Sequence, residues 1–137
     1  MASKIRRVDY FYTTVRDQPG EAYKLLHILA DQGINQLAFT SVPMGPHDTQ
    51  LTLFPEDGAR MQDVARKVGL PLNGPHSAFL VQGDDELGAL VGVHEKLYRA
   101  GVNVFATSGV TDGKGSYGYI LYVRSEDVSR AATALGI

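Results

Sequence analysis

The feature that most constrains this chain is that it matches itself. Sliding the sequence by 68 positions lays Gly33-Ile34-Asn35 on Gly101-Val102-Asn103, Asp17 on Asp85, Gly20 on Gly88, Leu29 on Leu97 and Ala38 on Ala106. Upstream, Phe11 falls on Phe79; downstream, Leu51–Asp57 meets Leu121–Asp127 once the offset grows to 70, and Val68-Gly69-Leu70 meets Leu135-Gly136-Ile137 at 67. The second copy therefore has a hairpin two residues longer and a last helix three residues shorter. Small indels of this kind fall where a duplicated unit tolerates them. An ordered series of matches at nearly constant offset predicts two copies of one unit of about 65 residues, here placed at 1–75 and 76–137.

Each copy reads alike. Val8–Val15 is dense in aromatic and β-branched residues, the signature of a strand. Asp17-Gln18-Pro19-Gly20 interrupts it, and Pro19 suits a first helical turn, where a missing N–H costs nothing. Ala22, Leu25, Leu26 and Leu29 recur at helical spacing as far as about Gln32, with Gly33 as the stop. Two strands follow, Asn35–Val42 and Thr49–Phe54, around a turn at Met44–Asp48, and then a helix over Gly58–Lys67 carrying Met61, Val64, Ala65 and Val68. In the second copy Ala78–Gln82 is a strand, and Leu87, Leu90, Val91, His94, Leu97 and Tyr98 make the predicted helix stripe. Val104–Val110 and Tyr117–Val123 flank Asp112-Gly113-Lys114-Gly115, a hairpin signal, before a helix over Asp127–Leu135. The order is β-α-β-β-α, with room for a fourth strand near Leu70–Pro75 in the first copy alone.

That pattern predicts an α+β fold of two ferredoxin-like units in tandem, with antiparallel sheets and helices on one face. Both alternating residue sets of the first strand are apolar or aromatic, Tyr10 and Tyr12 against Phe11 and Val15. The face without helices therefore needs cover, from the sister copy or from a dimer partner. The second copy ends at Ile137 without its fourth strand, and Pro71 and Pro75 sit awkwardly in the candidate strand of the first. Either the sheet edges are short, or Lys4-Ile5-Arg6 fills a vacancy.

Composition excludes several functions. A formal net charge of −2, with its one basic cluster at Lys4, Arg6 and Arg7, argues against a nucleic-acid footprint. Without cysteine there is no disulfide, iron–sulfur cluster or thiolate chemistry. The start of the sequence has no apolar signal region and no run long enough to span a bilayer, so a cytoplasmic protein is expected. The histidines are scattered: His27 and His94 fall in helices, while His47 and His76 fall in turns with no second ligand at metal spacing. Gly113-Lys114-Gly115-Ser116 joins two strands and opens no helix, so it reads as a turn rather than a phosphate loop. No cofactor is expected.

A β-α-β-β-α unit whose first loop reads Asp-x-Pro-Gly, followed by Gly-Ile/Val-Asn at the second strand, resembles an ACT domain. Asp17-Gln18-Pro19-Gly20 with Gly33-Ile34-Asn35 carries the likeness. Asp85-Glu86-Leu87-Gly88 with Gly101-Val102-Asn103 repeats it, with Leu where Pro is usual. The resemblance implies a regulatory module without catalytic activity, binding a free amino acid or similar small ligand. It also implies a homodimer through sheet faces or edges and a regulated enzyme as partner. The implied ligand site takes its loop side from Asp17, Gln18, Pro19 and Gly20, with Asp85, Glu86, Leu87 and Gly88. That site lies between two units, and the unit facing the loop gives the strand side, Ile34 and Asn35, with Val102 and Asn103. The chemistry is coherent: a carboxylate accepts from an ammonium, helix N-terminal amides suit a carboxylate, and glycine permits close approach. The same residues also fit plain structural roles, Asp17 and Asp85 as helix caps and the asparagines as turn residues. Tyr10, Tyr12, Phe39, Tyr117 and Tyr119 either line a pocket or fill the sheet faces. Two other functional classes share the pattern: a small ferredoxin-like enzyme using Asp17 and Asp85 as acid and base, and an oligomeric interaction module that binds nothing.

Overall fold

In the computed structural model, which describes residues 3–137, the chain runs β1 (Lys4–Arg16), α1 (Glu21–Asp31), β2 (Gln36–Met44), β3 (Asp48–Pro55) and α2 (Gly58–Val68). It continues through β4 (Asn73–Asp84), α3 (Val91–Arg99), β5 (Ala106–Thr111), β6 (Ser116–Tyr122), a 3-10 turn at Ser125–Asp127 and α4 (Val128–Leu135). The class is α+β, and the pairings of β1 with β3, β2 with β3, β4 with β6 and β5 with β6 are antiparallel. This architecture is compatible with ferredoxin-like ACT folds. The chain divides into two compact units, Asp9–His76 on the one hand and the residues up to Val8 with Ser77–Ile137 on the other.

In the unit Asp9–His76, β3 is central, with β1 and β2 on either side: Phe11 stands opposite Leu53, and so does Phe39. Phe11, Leu51 and Leu53 share one sheet face and pack against Leu25 and Leu29 of α1 and Met61 and Val64 of α2, with Ile34, Leu70 and Leu72 closing the cluster. Leu25 and Leu29 are one helical turn apart, so α1 presents a single apolar ridge. Leu26, expected on that ridge, lies at its margin and is exposed. Asp57 caps α2 by accepting from the Arg60 amide at 3.1 Å, and Gly69 ends the helix at φ +71°. The chain then returns as the first residues of β4. Gly74 holds φ +146°, and a Cβ there would stand 2.7 Å from Phe11 Cδ2 and 2.9 Å from the Tyr10 carbonyl oxygen, so no other residue fits. Pro75 precedes Phe79, where the register of β4 on β6 begins.

In the other unit, β6 is central between β4 and β5, with Phe79 opposite Leu121 and Thr107 opposite Leu121 from the other side. Phe79, Val81, Tyr119, Leu121 and Val123 pack against Val93 and Leu97 of α3 and Val128, Ala131 and Leu135 of α4. Ile5 packs on this same cluster, and Arg7 Nε donates to Ser77 Oγ at 3.1 Å. The first strand's N-terminal stretch thus occupies the position that the missing fourth strand would have left open. Full burial of a side chain such as Phe79 or Leu97 contributes about 1.5–3 kcal/mol.

The stripe predicted for α3 holds only in part: Leu97 is buried and Leu90 packs against the same core, but Val93 was not read on it. Leu87, Val91 and Tyr98 are exposed, and the buried ridge is Val93 and Leu97. The reason is local: residues up to Leu90 form a turn, so Leu87 is off the helix and cannot set its register. The sheet faces turned away from the helices are buried as well, at Thr52 and Phe54 in the first unit and at Ala78, Leu80 and Ile120 in the second. Tyr10 lies at ring distance from Phe54 (5.3 Å) and His76 (5.2 Å), and burial, then the neighbouring Tyr12 phenol, raises its pKa above 10.0.

Candidate functional site

The loops that precede α1 and α3 are built alike. The Asp17 amide donates to the His47 carbonyl at 2.8 Å, and the Asp85 amide donates to the Gly115 carbonyl at 2.9 Å. Each loop is thereby pinned to the hairpin of its own unit. In the second unit that hairpin is itself rigid, because Asp112 Oδ1 accepts from the amides of Lys114 (2.7 Å) and Ser116 (3.1 Å). Neither aspartate caps its helix: the N-cap positions are Gly20, at φ +89°, and Leu90, both without a side-chain bond. The carboxylates of Asp17 and Asp85 are left facing solvent.

Gln18, Pro19 and Gly20 are exposed beside Asp17. Gly33 turns the chain at φ +72°, Ile34 is buried in the core of its unit, and Asn35 is exposed. The Asn35 side chain donates to Glu56 Oε1, and the Glu56 amide returns a bond to the Asn35 carbonyl at 3.0 Å. Arg60 donates to the carbonyls of Gly33 (2.8 Å) and Gln32 (2.6 Å), satisfying the end of α1. Asp17–Gly20 and Ile34–Asn35 stand at opposite ends of α1, about 16 Å apart at 1.5 Å per residue. Within this unit the fold does not bring them together.

The second unit repeats that separation across α3. Val102 is buried in its core, and its amide donates to the Leu97 carbonyl at 2.9 Å, as Ile34 donates to Leu29 at 2.9 Å. Asn103 is exposed and, unlike Asn35, has no side-chain partner among the described residues. At the other end, Gly88 adopts φ +74°, Leu87 projects fully into solvent, and the amides of Ala89 and Val91 are spent on the carbonyls of Glu86 and Gly88.

This loop borders a cavity of about 450 Å³. Asp85, Glu86 and Gly88 form one wall, with the N-terminal turn of α3; the edge strand β5 and the start of β6 form the other, through Gly109, Val110, Tyr117 and Tyr119. The lining is mostly apolar, and among the described residues its charged side chains are the two carboxylates. Such a volume with few polar groups is typical of small-molecule sites. Tyr119 is held by a 2.8 Å contact of its hydroxyl with His94 Nε2, so His94 serves as a structural partner of the wall. Gly109 makes room for that ring: a Cβ at 109 would stand 2.6 Å from Tyr119 Cδ1. The Tyr117 hydroxyl is out of contact with solvent and has no hydrogen-bond partner among the described residues.

Of the residues read from the sequence, the cavity thus gathers Asp85, Glu86 and Gly88. It does not gather Val102 or Asn103. Gly109 and Val110 were not read as site residues, because a glycine inside a strand signals only close packing. Tyr117 and Tyr119 were read as lining a pocket or filling a sheet face, and Tyr119 does both. Among the described residues no group of three or more His, Cys, Asp or Glu could hold a metal ion, and no helix is long and apolar enough to cross a membrane.

The α+β fold is compatible with that of ferredoxin-like ACT domains. No protein-family model matches the sequence, and no curated protein matches it. Solved structures do. A protein from Bacteroides thetaiotaomicron superposes with a TM-score of 0.79 at 14% identity, over 96% of this chain and 88% of its own. The regulatory subunit of aspartate kinase from Thermus thermophilus, in its ligand-free form, gives 0.63 at 16% identity, over 97% and 93%. The regulatory subunit of aspartate kinase from Thermus flavus gives 0.57 at 16% identity, over 98% and 93%. At such identities the likeness is one of fold, and at that level the ACT resemblance holds.

Proposed function

We propose that this chain is a regulatory protein of two tandem ACT-like units that binds a small ligand, an amino acid or a close relative, and performs no chemistry of its own. One observation carries the reading: the 450 Å³ cavity opens against Asp85–Gly88, the loop to which the ACT resemblance assigns ligand binding. The regulatory neighbours of the same fold support it. Output passes through assembly and through a regulated enzyme in the cytoplasm. Copies pair along the edge where β5 is exposed over its whole length, and where Leu87, Val91, Phe105 and Val110 leave apolar surface in solvent. Val91 and Val110 belong both to that surface and to the cavity wall, so a bound ligand alters the edge directly.

Thermal-shift and calorimetric titrations with the free amino acids, their decarboxylated amines and their deaminated acids test this. At least one should raise the melting temperature, and Val91→Trp, which fills the cavity mouth from an exposed position, should abolish the shift. A well-folded protein that responds to none of the panel would refute the reading.

A further inference from the structure

We infer that Asn73 is a modification site of this chain: with Gly74 it cyclises to a succinimide and reopens as an acid, and the fold withholds that reaction through the His76 ring. Asn-Gly occurs once in the sequence, at Asn73-Gly74, and both residues are exposed. Glycine puts no side chain beside the attacking amide nitrogen, whereas Gln36 and Val104 follow the other two asparagines, Asn35 and Asn103. In the reaction the Gly74 nitrogen gives up its proton to base and bonds to Asn73 Cγ. Asn73 Nδ2 takes up a proton and leaves as ammonia. Water, the one co-reactant, then opens the ring at either carbonyl, giving aspartate or isoaspartate.

The folded chain restrains both reacting groups. Asn73 Oδ1 accepts from His76 Nε2 at 2.6 Å. That ring is itself clamped, stacked on Tyr12 at 5.3 Å and 14° and tilted against Tyr10 at 5.2 Å. Gly74 is fixed at φ +146° against Phe11, a side chain 1% exposed, and a Cβ there would stand 2.7 Å from Phe11 Cδ2. Cyclisation swings Asn73 Cγ onto the Gly74 nitrogen, which breaks the His76 bond, and rotates the peptide between them, which moves Gly74. Ring closure depends steeply on such alignment. The site is therefore latent, and it opens when the start of β4 comes away. Isoaspartate also lengthens the main chain by a carbon just before Gly74, where the Phe11 contact leaves no room. A chain converted while open does not reseat as before, so the change is one-way.

The experiment holds the full chain at mildly alkaline pH, in buffer and in urea, and follows residue 73 by peptide mass mapping. In urea Asn73 should convert ahead of Asn35 and Asn103. In buffer it should convert about a hundredfold more slowly than in urea. His76→Ala should speed conversion in buffer roughly tenfold, and His76→Gln, which keeps a donor toward Oδ1, should restore most of the protection. Urea unfolding of each variant gives its globally open fraction. A rate at residue 73 that only tracks that fraction, or that His76→Ala leaves unchanged, overturns the role of His76. Equal rates in buffer and urea, or an Asn73 no faster than Asn35 and Asn103 in urea, overturn the inference outright. The isoaspartate form, made in urea and returned to buffer, should be less stable than Asn73→Asp, which adds the charge without lengthening the main chain; equal stability would refute the one-way character. None of these outcomes bears on ligand binding at the cavity.

Discussion

Gly109→Ala is the sharpest test of the cavity wall. The added methyl would stand 2.6 Å from Tyr119 Cδ1 and 3.3 Å from the Gly118 carbonyl oxygen. Carbon atoms settle at about 3.5–4.0 Å, so the ring must retreat by about 1 Å. It has nowhere to go without loss, because Tyr119 is 8% exposed, belongs to the core with Val81 and Leu121, and touches His94 Nε2 at 2.8 Å through its hydroxyl. Overpacking costs about 1–3 kcal/mol and a lost hydrogen bond about 0.5–1.5, against a gain of about 0.5–1 for alanine over glycine in a strand. The net expectation is a destabilisation of about 2 kcal/mol. Gly118, opposite Val110 on the neighbouring strand, is the control: nothing lies within 4 Å of a Cβ there, so Gly118→Ala should be neutral or slightly stabilising. Urea unfolding with an unchanged slope would measure both. In a Tyr119→Leu background, which removes the ring edge, the Gly109 penalty should shrink to less than half. Equal stability of the two alanine variants, or a Gly109 penalty undiminished by Tyr119→Leu, would refute the geometry of this wall.

Three further outcomes follow from named contacts. Tyr10 has its pKa raised by burial, so the folded state holds the phenol proton more tightly than the unfolded chain; stability should be constant below pH 10.0 and fall as pH rises above it, and Tyr10→Phe should flatten that limb in an alkaline denaturation series. Asp57→Ala removes the oxygen that accepts from the Arg60 amide and should cost about 1 kcal/mol in chemical denaturation, with Asp57→Asn largely sparing it. Leu97→Ala, at a side chain 1% exposed between α3 and the sheet, should cost about 3 kcal/mol by the same measurement, whereas Tyr98→Ala beside it, 82% exposed, should stay within about 0.5.

Only a small part of the cavity lining was readable in the residues. Asp85, Glu86 and Gly88 stood out because a loop rich in polar and flexible residues before a helix offers charge and exposed backbone. Their partners across the cavity did not stand out, because Gly109 and Tyr119 are neighbours only through the β5–β6 register. Asn35 and Asn103 occupy equivalent places in the repeat, yet one is tied to Glu56 and the other has no side-chain partner among the described residues. The matched Glu126 was visible, but whether a side chain closes such a bond depends on how the last helix begins. In the second copy the Ser125–Asp127 turn precedes α4, and Asp127 does not accept an amide as Asp57 does.

Local periodicity determined the elements. Strand alternation through Phe11, Leu51 and Leu53, and helical spacing through Leu25 and Leu29 or Met61 and Val64, specify which faces must be buried, because both repeats are set by backbone geometry alone. Where an element lacks a clean boundary, that logic is partial: for α3 it found Leu97 but missed Val93, because the helix starts at Val91 rather than at Leu87. Only the tertiary structure decided that Ile5 and Arg7 join Phe79 and Ser77 in one unit, and that a 450 Å³ space remains between α3 and β5. Both are consequences of how separately determined surfaces pack, and packing depends on volumes and registers distant in the chain, which no local pattern records.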